Sequence, residues 1–268
     1  MNPSDVAAFA AARDLVLDRI ADACSSAGRD PADVTLVAVS KTVPAARLEA
    51  AVAAGLTTLG ENRVQEAADK VPALTGVTWH LVGPLQSNKA RRAIELFDVI
   101  QSVDSVDLGL RLDRLVGDVR PGTRLPVLLQ VNVDDDPAKA GFEIGELAAA
   151  ADTLAGCESL ELRGLMTIGR LVGDSAEARG TFRRLRDVSE RLRADGSVLG
   201  PELSMGMSDD YPVAIEEGAT LVRVGRALFG ERPRINPDGG GRARPRAEAK
   251  TGPEASLAGA SLVAPDGA

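Results

Sequence analysis

The sequence predicts an α/β fold: a single (β/α)8 barrel, the TIM-barrel architecture, with an extra helix at its N-terminus. Three observations lead there. Eight short apolar runs recur at residues 35–41, 57–62, 78–84, 99–105, 126–133, 160–168, 202–207 and 221–225. Helix-patterned stretches separate them, and strict strand–helix alternation implies parallel pairing with right-handed crossovers. Finally, no run is followed by Gly-x-Gly-x-x-Gly, the turn expected of the competing architecture, an open doubly wound sheet. Eight units in about 200 residues sit at the small end of the barrel range.

Taken in order, residues 3–27 carry Phe9, Val16, Ile20 and Cys24 on one face and form the extra helix, packed across one end of the barrel. The run at 35–41 is short, apolar and followed by Pro44, as a buried parallel strand should be. Residues 45–54 are helical up to Gly55, a suitable C-cap. After the second strand, Glu61 and Glu66 flank a helix start, where carboxylates favour the helix dipole. A Gly-Pro turn follows the third strand and precedes a helix over 87–96, and the next helix, 106–116, is bounded by Gly117. The helix over 144–154 ends near Gly156. Residues 175–194 place Phe182, Leu185, Val188 and Leu192 on one face. The helix over 209–217 opens with Asp209 and Asp210 as capping residues and stops at Gly218. Domain 1–232 is therefore the barrel. From residue 233 the composition turns to Gly, Pro and Ala without a period, so 233–268 reads as a disordered tail, too short for a second domain of ordinary size.

Composition excludes several function classes. A net charge of −8 and a pI near 4.9 argue against a nucleic-acid or anionic-membrane footprint. Two distant cysteines and one histidine cannot build a Cys/His zinc cluster, and both cysteines read as reduced packing residues. No metal site is expected. The acidic N-terminus lacks the pattern of a signal peptide, and no apolar run approaches membrane-spanning length. A cytoplasmic protein is the expectation. Hydrophobic content of 44% supplies a core, but with 3% aromatics it must pack through Leu, Val, Ile and Ala.

Barrel chemistry sits at the C-terminal ends of the strands. The polar residues there are Lys41, Asn62, His80, Gln101, Ser102, Asn132, Thr167, Ser204 and Arg223, beside Met166. Lys41 is the informative one. Of 31 basic residues only five are Lys, at 41, 70, 89, 139 and 250, yet the first strand ends in an amine. Arg can neither condense with a carbonyl nor act as a base near neutral pH, and a desolvated Lys can do both. The other reading of Lys41 is a lysine that snorkels at a strand end. After strand 8, Gly225 lets the backbone approach a ligand, and the N–H groups of Arg226 and Ala227 face an anion. Ser204 and Gly206 supply the strand-7 half of a phosphate pocket, the usual place for one in a barrel. Two ordinary glycine turns would look the same. Arg223, if it faced a pyridine nitrogen, would keep it unprotonated and weaken the ring as an electron sink; it could equally pair with a carboxylate on a neighbouring strand. His80 reads as a hydrogen-bonded core residue, Tyr211 as surface packing, and Lys89 and Lys139 as solvated loop lysines. No catalytic residue is assigned.

The motifs LVAVSKT (36–42), GENRVQE (60–66), WHLVGPLQSNK (79–89), GLMTIG (164–169), LSMGMSD (203–209) and VRVGRALFG (222–230) closely resemble the pyridoxal phosphate homeostasis protein family. The likeness spans about residues 10–232, in order. It implies a barrel like the N-terminal domain of alanine racemase, with pyridoxal 5′-phosphate (PLP) held as a Schiff base on Lys41. It further implies Asn62 beside the cofactor, Met166 lining the ring pocket, Ser204, Gly225 and Arg226 at the phosphate, and Arg223 at the pyridine nitrogen. Many relatives carry a small Ser or Thr where this chain has Arg226, which retains the backbone contact but not a hydroxyl. The implied function is a monomeric, non-enzymatic carrier and regulator of intracellular PLP, with apo PLP-dependent enzymes as recipients. Alanine racemase takes its second base from an additional β domain, which is not expected in this chain. The alternatives are a PLP-dependent racemase-like enzyme using Tyr211 or His80, and a lysine-dependent sugar-phosphate aldolase. Lys139, by its loop position, is a candidate for a transient second cofactor site.

Overall fold

The computed structural model describes residues 2–169 and 175–230, with the side chains of 175–177 excluded. The tail expected over 233–268 lies outside the described residues. Eight parallel strands close into a barrel in chain order, β1 pairing with both β2 and β8. They are β1 (Thr35–Val39), β2 (Thr58–Glu61), β3 (Thr78–Leu81), β4 (Val99–Val103), β5 (Leu125–Gln130), β6 (Leu160–Met166), β7 (Glu202–Met207) and β8 (Leu221–Val224). The helices are α1 (Pro3–Ser26), α2 (Ala45–Ala53), α3 (Val64–Lys70), α4 (Ala90–Leu96), α5 (Val106–Val119), α6 (Leu147–Ala155), α7 (Ser175–Ala194), α8 (Tyr211–Glu216) and α9 (Arg226–Phe229).

Several strands stop two or three residues short of the sequence expectation. The apolar pattern continues past the last ladder bond, so Lys41 and Asn62 stand on the loops after β1 and β2. Gly117 does not end α5, which runs on to Val119; each interior glycine costs only about 1 kcal/mol in a helix that buries Leu108, Leu112 and Val116. The apolar residues form two cores. Val37, Val82, Val99, Leu128, Met166 and Leu221 fill the barrel interior. A larger cluster, including Leu48, Leu59, Ile94, Phe182 and Ile215, lies between sheet and helices.

Asn2 caps α1, its side chain accepting the Ser4 N–H at 3.2 Å, with Pro3 at the first helical position. The helix packs against α2, α8 and α9. From the loop after α1, Arg29 donates from Nη1 to the carbonyls of Ile215 at 2.7 Å and Ala219 at 2.9 Å, tying that loop to the end of α8. One aromatic pair and one cation–π contact lie here. Phe9 meets Phe229 edge-on at 5.7 Å, and the Arg47 guanidinium lies 5.3 Å from the Phe9 ring centre.

Candidate functional site

Lys41 sits in a tight turn just beyond β1. Ser40 still pairs with β2 through its N–H to the Gly60 carbonyl at 2.9 Å, and the Val43 N–H closes the turn on the Ser40 carbonyl at 3.0 Å. Thr42 has φ of 66°, a conformation strained for a β-branched residue. Lys41 is half-buried, as are Val39, Asn62, Ile168, Ser208 and Gly225. Together they line the C-terminal mouth of the barrel.

Below this rim a polar chain crosses the interior. Arg223, on β8 beside Val37, donates from Nη1 to Ser204 Oγ at 2.6 Å and from Nη2 to the Thr167 carbonyl at 2.7 Å. Ser204 Oγ donates to Gln101 Oε1 at 2.6 Å, and Gln101 Nε2 lies 2.7 Å from His80 Nδ1. Gln101 donates there, so the imidazole carries its hydrogen on Nε2. Burial lowers the Arg223 pKa to about 10, partly opposed by Asp210, and the guanidinium stays cationic at neutral pH. It forms no ion pair with a neighbouring strand, against one of the two readings open from sequence; its partners are a hydroxyl and a carbonyl.

His80 is a core residue, as expected. Burial, reinforced by the positive charge of Arg163, lowers its pKa from 6.5 to about 4. The fold therefore favours the neutral ring. Its contribution, about 3 kcal/mol, is complete above the ordinary histidine pKa and is lost as pH falls toward about 4. His80→Gln should flatten this part of the acid limb, measured as the difference in unfolding free energy between about pH 7.5 and about pH 4.5.

The other predicted residues separate into two groups. Met166 is fully buried in the barrel interior. Ser204 is fully buried too, its hydroxyl already committed at both ends, so it lies beneath the mouth rather than on its rim. Gly206 does not face the mouth. It forms part of a bulge in β7 with φ of 88°, and a Cβ there would fall 2.6 Å from Ala214 Cβ and 2.9 Å from Tyr211 Cα, so its missing side chain makes room for α8. Gly225 does face a close approach: a Cβ there would stand 3.2 Å from the Val39 carbonyl, two residues before Lys41. Its N–H points to Ser208 Oγ at 3.3 Å. Sequence reasoning passed over Ser208, whose signal was its position at the end of β7, four residues beyond Ser204. Arg226 is exposed and ion-paired with Asp209. That pair accounts for Asp209 better than helix capping does. Asp210 binds back to the Met207 N–H at 2.6 Å rather than to a helix N–H.

Three further expectations need correction. Tyr211 is buried between α8 and α1, where burial raises its pKa and Arg19 opposes the rise; it is not surface packing. Lys139 is not a solvated loop lysine. It donates to the Ile168 carbonyl at 3.0 Å and lies 3.6 Å from Asp134. Glu61 does not serve a helix dipole. It is fully buried at the end of β2, accepting from Lys70 Nζ at 2.7 Å and Ser40 Oγ at 2.6 Å. Burial still pushes its carboxyl above the usual range, although Lys70 and Ser40 pull it down. No cluster of ligands able to hold a metal occurs among the described residues.

A primary amine and a hydroxyl with bare backbone thus stand at one end of the barrel, above a buried cation. The profile of the family described as "Alanine racemase, N-terminal domain" matches residues 17–233. Among curated proteins, the pyridoxal phosphate homeostasis protein of Pseudomonas aeruginosa is 45% identical over 81% of this chain and 93% of its own length. The chain belongs to the pyridoxal phosphate homeostasis proteins, within the alanine racemase N-terminal domain family. Among solved structures, PipY of Synechococcus elongatus PCC7942 with PLP bound is 44% identical, with a TM-score of 0.70 over 80% of this chain and all of that one. An alanine racemase of Clostridium difficile 630 shares the fold at 15% identity and a TM-score of 0.59, covering 82% of this chain and 56% of the enzyme.

Proposed function

We propose that this chain binds PLP at the barrel mouth and serves as a carrier and regulator of the cofactor, not as a catalyst. The observation that carries the reading is the coincidence of Lys41, Arg223 and the Ser208–Gly225 cradle at one barrel end. This donor set fits the aldehyde, ring nitrogen and phosphate of PLP, and the pinch of Gly225 on the Val39 carbonyl brings the phosphate cradle beside the amine. PLP, when bound, supplies an aldehyde that takes up amines. Lys41 Nζ would hold that aldehyde carbon as a Schiff base, with release of water. Asn62 would stand beside the ring. Gly225 and the backbone of Arg226 would hold the phosphate. Ser208, rather than Ser204, would supply the hydroxyl, because Ser204 is committed to Gln101 and Arg223. Met166 and Ser204 act from beneath, the former as apolar floor and the latter by fixing the guanidinium. Gly206 serves α8.

The racemase-like alternative loses its second base. Neutral His80 is buried in the interior chain, and Tyr211 is buried against α1. Arg223, if placed at the ring nitrogen, would also disfavour delocalised carbanions. The relatives' names support the carrier reading, and apo PLP-dependent enzymes remain the proposed recipients, with a cytoplasmic monomer as the working form. The test is a visible spectrum of the purified protein, then borohydride reduction, peptide mapping and a transfer assay. A yellow protein with its adduct on Lys41, activating an apo-enzyme faster than free PLP does, supports the proposal. A protein that stays colourless after PLP is added overturns it and favours the sugar-phosphate aldolase.

A further inference from the structure

The turn bearing Lys41 is held from outside the barrel mouth. Two peptide planes flank the Lys41 Cα, and each is fixed by a different side chain of α3. The Ser40 carbonyl, in the plane before Lys41, accepts from Lys70 Nζ at 2.9 Å in addition to the turn-closing Val43 N–H. The Thr42 N–H, in the plane after Lys41, donates to Glu66 Oε2 at 3.0 Å. Glu66 and Lys70 are one helical turn apart and 4.0 Å from each other. With both planes fixed, neither backbone torsion of Lys41 can rotate freely. The clamp also holds Thr42 at its positive φ, which an isolated turn of this sequence would relax.

Lys70 is itself anchored. Its ammonium is buried against Glu61, which also takes the Ser40 hydroxyl, while Glu61 Oε2 makes no hydrogen bond. Stability alone does not account for such a pair, because desolvation offsets most of its attraction and an apolar pair of the same volume often does as well. What it does supply is a fixed N–H donor at one backbone carbonyl. We propose that Glu66 and Lys70, with Glu61 as the counter-ion of Lys70, are positioning residues that aim the Lys41 side chain at the carbonyl carbon of its ligand. They touch no ligand themselves. This inference rests on the PLP reading above.

The test compares two ligands. PLP both anchors and condenses, whereas pyridoxine 5′-phosphate, with an alcohol in place of the aldehyde, only anchors. Binding of each is measured for Glu66→Ala, for Glu66→Gln, which keeps an acceptor for the Thr42 N–H, and for the double variant Glu61→Met/Lys70→Met, an apolar pair that releases the Ser40 carbonyl. Attachment to Lys41 is followed by absorbance and borohydride trapping. Glu66→Ala and the double variant should weaken PLP attachment about tenfold or more while pyridoxine 5′-phosphate binding changes less than about twofold, and Glu66→Gln should restore attachment. Equal losses for both ligands, or no loss in either variant, would overturn the positioning role. If the unaltered protein attaches no PLP to Lys41, the PLP reading fails instead, and the two failures are thereby told apart.

Discussion

Lys41→Arg should abolish covalent loading while leaving the barrel folded. Arginine keeps the positive charge and nearly the same reach, and the turn is held through backbone groups of Ser40 and Thr42, which the substitution does not touch. Guanidinium does not condense with an aldehyde under these conditions. After PLP is added, the visible band should be absent and borohydride should leave the 41-bearing peptide unmodified. Apparent PLP affinity should fall roughly a hundredfold, about 2.8 kcal/mol, with the phosphate cradle and Arg223 supplying what remains. Retention of the band with an adduct on Lys89 or Lys139 would move the cofactor away from β1 and sink the assignment.

Lys70→Met should produce the largest loss of stability among the side chains around the mouth. It leaves Glu61 fully buried without its cation, and breaking a buried pair from one side costs about 3–5 kcal/mol. The pH dependence is specific. The folded-state pKa of Glu61 already lies above its ordinary value, because burial outweighs the pull of Lys70 and Ser40. Removing Lys70 leaves burial opposed by Ser40 alone, and the folded pKa rises further. A group whose folded pKa is raised contributes stability below its unfolded pKa and loses it as pH climbs through the folded value. The variant should therefore be most destabilised at neutral to alkaline pH and recover toward about pH 5, as read by denaturant midpoints across that range. A pH-independent loss would mean that Glu61 is not the group left uncompensated. The double change to methionine should recover most of the loss at neutral pH, since no lone charge remains.

The barrel was legible because its signal is local and repeated. Each strand announces itself as a short apolar run, each helix by its period, and eight alternations leave little topological freedom. Lys41 drew notice for a compositional reason: in a chain with 26 Arg and five Lys, an amine at the end of the first strand stands out. The amphipathic stripe from Phe182 to Leu192 announced α7.

What the sequence could not decide was direction and depth. Ser204 and Ser208 look equivalent along the chain. The β7 bulge at Gly206 separates them, so that one hydroxyl joins Arg223 and Gln101 inside the barrel and the other reaches Gly225 on the rim. Glu61 read as a helix-start carboxylate because its partner Lys70 is nine residues away, on a helix whose packing against β2 no local pattern reports. Tyr211 read as surface because its burial depends on α1, nearly the whole chain distant. Residue type and period thus determined the fold, the ordered motifs gave the family, and both singled out Lys41 as the candidate amine. Only tertiary packing decided which polar groups reach the barrel mouth, which face one another, and which hold the Lys41 turn in place, because those outcomes depend on through-space partners far apart in the chain.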